Sequence, residues 1–196
     1  MNEAQPALGV SNRYIEWMFR HISSPLLASG IYPNAKEWTE AVACYEAVRK
    51  HVATRPQFAI RNPMVSLVAI GDGSTPRAAA MFSTRSIWQC YSVDPHMKWR
   101  NVRPRLERLV PVRGDIHDLC LAVPAQGSIV VVACHSHADL NAAVVRLSQI
   151  CGRDRMAVVA MPCCVPQHID GWEPAVEYTD WSCWSEHRNV KVWTPV

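Results

Sequence analysis

Long hydrophobic runs are missing from this 196-residue sequence. The longest, Val65 to Ile70 and Ile129 to Cys134, fall far short of the ~20 residues a membrane helix needs, so no membrane partner is expected. A secretory signal segment is also missing, and that governs the reading of the eight cysteines. They fall inside strand-like and helix-like stretches and are expected as reduced thiols of a cytoplasmic protein, not as a disulfide framework. None of them shows Cys-x-x-Cys spacing, so no metal centre is expected, although Cys134, His135, His137, Cys163, Cys164 and His168 have zinc-binding chemistry. Repeats and low-complexity tracts are lacking as well. Charged residues make up only 19% of the chain against 49% hydrophobic, which excludes a largely disordered protein. The net charge of +3 permits an anionic partner without requiring one. The length suits one domain with an ordinary core.

Glycine is scarce too, at 8 residues, yet two stand almost side by side. In Val65-Ser-Leu-Val-Ala-Ile70-Gly71-Asp72-Gly73-Ser74-Thr75-Pro76-Arg-Ala-Ala-Ala, an apolar run passes directly into the glycines, two hydroxyl residues, a proline and alanine-rich sequence. That order predicts a strand, a tight turn and a helix start. Gly71 and Gly73 let the chain bend sharply and leave room for a ligand against the backbone. Ser74 or Thr75 is expected to cap the helix and Pro76 to fill its first position, with the free N–H groups of the first turn facing the ligand. Downstream, Ser86 to Val93 reads as a second strand ending in Asp94. An acid about 20 positions after such a turn is where nucleotide-binding α/β folds hold a ribose diol.

The rest of the chain alternates in the same way. Arg13 to Ile22 and Ala35 to about Ala53 carry apolar residues at helical spacing, the second with Asn34 as its N-cap and a stripe of Trp38, Val42, Tyr45 and Val48. Both are expected to cover a sheet face or to form a lid. Leu109 to Val112 predicts a third strand, ending at Asp115 and Ile116, which would border a purine ring. Ser128 to Ala133 is a β-branched run of the kind buried on both faces, followed by Cys134-His135-Ser136-His137 and a helix to about Ile150 capped by Asp139 or Asn141. Met156 to Ala160 predicts the next strand, ending at Met161-Pro162-Cys163-Cys164. Strands alternating with helices imply a parallel sheet with ligands beyond the carboxyl ends of its strands. The turns at Gly71, Asp94, Asp115, His135 and Cys163 should therefore share one rim. Val176 to Trp181 and Asn189 to Trp193 leave no room for a helix between them and predict an antiparallel pair at the sheet edge. The segment from Asp94 to Arg108 is basic and contains Trp99, a composition that suits a phosphate backbone with a stacked base.

This order of elements resembles the class I S-adenosylmethionine-dependent methyltransferases from about Val65 to Val196. The resemblance implies an α/β fold: a Rossmann-like three-layer sandwich, mostly parallel, with an antiparallel C-terminal hairpin strand. Residues 1–60 would form an N-terminal helical extension packing on the core, and residues 61–196 the methyltransferase-like domain. It further implies S-adenosyl-L-methionine as cofactor, with Gly71, Asp72 and Gly73 beside its methionine part and Asp94 on the ribose hydroxyls. Pro95 and His96 would follow near the adenine, Asp115 and Ile116 would meet its amino edge, and Cys134 and His135 would line the methyl-donor site. His135 and His137 are the candidate bases, imidazole being the side chain most often used for such proton transfer. The segments Ala-Cys-His-Ser-His-Ala-Asp-Leu and Met-Pro-Cys-Cys are also similar to RNA methyltransferase-like proteins, which makes RNA the expected substrate, acted on by a homodimer or a chain with a partner subunit.

The sequence departs from the family pattern at Ala69, where an acid is usual, and at Thr75-Pro76, where a third small residue often completes the turn. It also has no Asn-Pro-Pro-Tyr or Asp-Pro-Pro-Tyr after the fourth strand, so the familiar route to exocyclic base amines is not supported. These departures keep two alternatives in view: a catalytically inactive, methyltransferase-like scaffold subunit and, less favoured, an NAD-dependent oxidoreductase.

Overall fold

The computed structural model describes residues 12–20, 25–99, 106–118, 122–124 and 126–195; residues 100–105 of the basic segment lie outside them. Strand β1 (Val65–Ile70) is buried at every position, as its apolar run requires. It lies between two parallel neighbours, β2 (Gln89–Asp94) and β4 (Ser128–Cys134). β3 (Leu109–Arg113) flanks β2, and β5 (Met156–Met161) flanks β4, both parallel. β6 (Val176–Thr179) and β7 (Asn189–Trp193) complete a seven-stranded sheet of order β3-β2-β1-β4-β5-β7-β6. β7 runs antiparallel to both of its neighbours, so the expected hairpin is present, with its second strand inserted between the first and the rest of the sheet.

The strand order explains two local features. Pro111 sits in β3 at the sheet edge, where a missing N–H removes no ladder bond on the open side. At the other edge Glu177 lies opposite Lys191, 3.6 Å apart, and the pair places charge where an exposed strand would otherwise invite further pairing.

Successive residues of the central strands face opposite layers. Leu67, Ala69, Val130 and Val132 join a core with helices α3 (Ala35–Ala47) and α4 (Arg77–Arg85). Val68, Ile70, Val131 and Ala133 join the other core, under helix α5 (Leu140–Cys151). The result is the three-layer sandwich expected. Each fully buried aliphatic side chain in these layers contributes about 1.5–3 kcal/mol.

Asn34 caps α3 as expected, its side chain accepting the Glu37 N–H at 3.0 Å. The helix continues through one π turn, Val48–Val52, close to the boundary read from sequence. Trp38 on α3 is fully buried and contacts Tyr32 and Trp17 edge-on, at centroid distances of 5.2 and 6.0 Å. Its indole N–H donates to the Tyr14 carbonyl of helix α1 (Arg13–Arg20) at 3.1 Å. The Tyr14 hydroxyl in turn donates to Asp180 Oδ2 at 2.6 Å, which ties α1 to the loop after β6. Pro25 opens a short helix, α2 (Pro25–Ala28), because a proline loses no hydrogen bond in a first turn. No helix among the described residues is long and apolar enough to cross a membrane.

Candidate ligand cleft at the strand carboxyl ends

The turn after β1 is built differently from its sequence reading. Neither Ser74 nor Thr75 caps α4, which starts at Arg77 with Pro76 at its N-cap position and no side-chain bond from it. The Thr75 hydroxyl instead donates to the Ile31 carbonyl at 3.0 Å, and the Ser74 carbonyl accepts the N–H groups of Lys98 and Trp99. Asp72 takes over the cap. Its carboxylate accepts the N–H groups of Ala78 and Ala79, at 2.9 and 3.2 Å, and the Ser92 hydroxyl at 2.7 Å. Burial raises the Asp72 carboxyl above its ordinary range, while those three donors pull it back. The first-turn amides expected to be free for a ligand are thus already engaged by a buried anion.

Both glycines have positive φ, +61° at Gly71 and +85° at Gly73. Gly71 is constrained a second time, because a Cβ there would lie 2.2 Å from Ser136 Oγ. Gly73 donates its N–H to Asp94 Oδ2 at 2.8 Å, and the His96 N–H reaches Asp94 Oδ1 at 2.6 Å. The two signals read from sequence therefore touch. Each carboxylate oxygen has a second lone pair, so Asp94 retains acceptor capacity beyond these bonds.

Two neighbouring spaces open around this turn. The larger, about 380 Å³, is lined by Asp94, Pro95 and His96 after β2, by Asp115 and Ile116 after β3, and by His137 after β4. The smaller, about 210 Å³, is lined by Asp72, Gly73 and Cys134 together with Lys36, Glu37 and Glu40 of α3 and Arg77 of α4. Gly71 and His135 line both. Every residue singled out from sequence as a cofactor or catalytic residue thus borders one space or the other. Asp72, Gly73 and Cys134 lie on one side, and Asp94 to His96, Asp115 and Ile116 on the other.

His135 has φ +50°, a left-handed conformation that costs a non-glycine residue about 1–2 kcal/mol. The bend turns its ring toward Glu40, with Nδ1 3.1 Å from Glu40 Oε1, while Nε2 lies 2.7 Å from the His187 carbonyl. Each ring nitrogen thus lies close to an oxygen atom. His135 is therefore set between Glu40 and the loop before β7. Glu40 is 4% exposed and also forms an ion pair with Lys36, whose Nζ lies 2.7 Å away; neither nitrogen meets Oε1 in a hydrogen bond. Arg77 pairs with Glu37 beside them.

No family model matches the chain, and no curated protein matches it. Among solved structures it is similar to magnesium protoporphyrin IX methyltransferase ChlM from Synechocystis PCC 6803, solved with S-adenosylmethionine bound: TM-score 0.51, 12% identity, covering 95% of this chain and 98% of that one. The chain has the class I methyltransferase fold. Lower-scoring matches are fibrillarin from Aeropyrum pernix, with TM-score 0.47, 14% identity and 78% and 73% of the two chains covered, and a Lactococcus lactis protein assigned as a hemolysin, with TM-score 0.43 and 16% identity. The chain, aligned over 61% of its own length, spans 55% of the length of the Lactococcus protein.

Within this methyltransferase fold, the acids and bases of α3 were missed by the sequence reading. A signal was present: Glu40 is the only charged residue between Trp38 and Tyr45, and a lone carboxylate in an otherwise apolar helical stretch has to be paired. The six residues of zinc-like chemistry separate in the structure. Cys134 lies in the smaller space, where the neighbouring Cys44 thiol and burial push its own thiol up; His135 faces Glu40, and His168 stands 3.5 Å from Asp170. His137, Cys163 and Cys164 remain together at the edge of the cleft.

Proposed function

We propose that the chain binds S-adenosylmethionine across the two spaces and transfers its methyl group. The observation that carries this reading is the Asp72 cap. A dinucleotide pyrophosphate needs free helix N–H groups, and here a carboxylate already holds them, which speaks against the NAD-dependent alternative. An adenosyl sulfonium has no phosphate and carries positive charge, so a turn with engaged amides and carboxylates nearby suits it. Asp94 would hold the ribose hydroxyls, and Ile116, Pro95 and Asp115 would border the adenine. In the smaller space, Glu37 and Glu40 set against Lys36 and Arg77 would meet the ammonium and carboxylate of the methionine part. When bound, the sulfonium supplies an electrophilic methyl group; what the residues of this chain supply is position and exclusion of water. With both nitrogens of His135 engaged, the base role expected of the two histidines falls to His137, whose ring meets Cys164 Sγ at 3.4 Å.

RNA is the acceptor to test first. The basic residues from Lys98 to Arg108 beside Trp99 support it, and most of that segment lies outside the described residues. Calorimetry with S-adenosylmethionine, S-adenosylhomocysteine and NAD separates the readings. Micromolar binding of the first two, lost by at least tenfold in Asp94→Ala, supports the proposal. Tighter binding of NAD overturns it in favour of an oxidoreductase, and no binding of any of the three favours a scaffold. Radiolabelled methyl incorporation from the donor into total RNA, compared with protein and small-molecule fractions, then decides the acceptor class.

A further inference from the structure

We propose that His137, Cys163 and Cys164 form a zinc site at the edge of the cleft, with three protein ligands and one position left for water or an incoming group. Parallel pairing of β4 with β5 sets Cys134 level with Met161, so the strap after one strand and the turn after the other meet side by side. Cys163 Sγ lies 3.7 Å from Cys164 Sγ, Cys164 Sγ lies 3.4 Å from His137 Nε2, and all three ligand atoms fall within 4.8 Å of one another. Tetrahedral zinc with bonds of about 2.3 Å to sulfur and about 2.0–2.1 Å to nitrogen separates two sulfurs by about 3.8 Å and a sulfur from a nitrogen by about 3.6 Å. Two edges of that tetrahedron are thus already in place.

The segments that carry the ligands are held independently of any ion. Buried Gln167 donates to the carbonyl of buried Ser136 at 2.9 Å, which joins the residue next to His137 to the loop after the cysteines. The His135 N–H donates to the Met161 carbonyl at 2.9 Å on the other flank. Charge balances as well: two thiolates and a neutral imidazole neutralise Zn²⁺, and binding releases the thiol protons to solvent. His137 and Cys164 are exposed, so an ion has a way in and its fourth ligand is exchangeable. Zinc on His137 Nε2 and a base role for that nitrogen exclude one another, so this proposal replaces the base role, while donor binding at Asp94 and the glycine turn is a separate reading that can fail alone.

The test uses the full chain, stripped with a chelator and titrated with Zn²⁺ against a chromophoric competitor, then with Co²⁺ followed by absorption. We expect one equivalent bound and, with cobalt, the thiolate charge-transfer band and intense visible bands of a tetrahedral centre. Cys163→Ser, Cys164→Ser and His137→Ala should each weaken zinc by at least tenfold, whereas Cys151→Ala should not change it. Circular dichroism melts confirm that each variant folds. Sub-stoichiometric zinc, a cobalt spectrum without thiolate bands, or unchanged affinity in the Cys163 and Cys164 variants overturns the proposal. Donor calorimetry on the same samples keeps its failure distinguishable from failure of the methyltransferase reading.

Discussion

His135 and His137 stand two residues apart on one strap, yet their surroundings have little in common. His135 is clamped between a buried carboxylate and a backbone carbonyl at the cost of a left-handed backbone. His137 is exposed and meets a thiol. The bend at His135 accounts for the difference, because it sends one ring inward under α3 and leaves the next outside. Between the two, Ser136 is buried against Gly71, so the strap and the glycine turn are packed as one unit. Adjacency in sequence gave the two imidazoles the same candidate role, and packing separates them.

The most damaging change should be one that disturbs both histidines together. Gly71→Ala places a Cβ against Ser136 Oγ at a position that already needs positive φ, and should cost about 2–4 kcal/mol in urea unfolding. A loss below 1 kcal/mol would mean that the strap is not packed on the turn as described. Next, Glu40→Ala removes the anion facing His135 and Lys36, with an expected loss of about 1–3 kcal/mol. A double-mutant cycle with His135→Ala should show coupling of at least 0.5 kcal/mol, and strict additivity would contradict the clamp.

Asp94→Asn keeps an acceptor for one of the two backbone amides and should weaken the proposed donor by roughly tenfold, about 1.4 kcal/mol, read by calorimetry. In the chelator-stripped chain, His137→Ala should leave stability within about 0.5 kcal/mol of the parent, because its ring is exposed; a larger drop in melting temperature would erase the contrast with His135. Last, alkylation of the chelator-stripped chain at mildly alkaline pH, followed by mass spectrometry, should label Cys163 and Cys164 first. Burial raises the Cys163 thiol, but the amides of Val165 and Cys164 and the Cys164 thiol outweigh it and leave the group below its ordinary value. Cys183, pushed up to about 12 by burial, should stay unlabelled until the chain unfolds.

Much of the fold was legible in the sequence because strands buried on both faces leave continuous apolar runs, as at Val65–Ile70 and Ser128–Cys134, and turns leave glycine or a capping acid, as at Gly71 and Asp139. Asp139 does cap α5, accepting the Ala142 N–H at 2.9 Å. The cap of α4 was misread because local propensity favours a hydroxyl just before Pro76. Asp72 instead reaches the helix across the turn, where Ser92 of the neighbouring strand supports it.

What the sequence determined by itself was the order of strands and helices and the rim on which chemistry-bearing residues would gather. Both follow from periodicity and turn preferences that act within a few residues. Only the tertiary structure decided which of those residues face one another. β7 entered between β5 and β6, α3 brought Glu40 beneath His135, and β4 pairing with β5 set Cys163 and Cys164 beside His137. Such partnerships join positions tens of residues apart. They are fixed by how helices fill the sheet faces, and no short stretch of sequence carries that information.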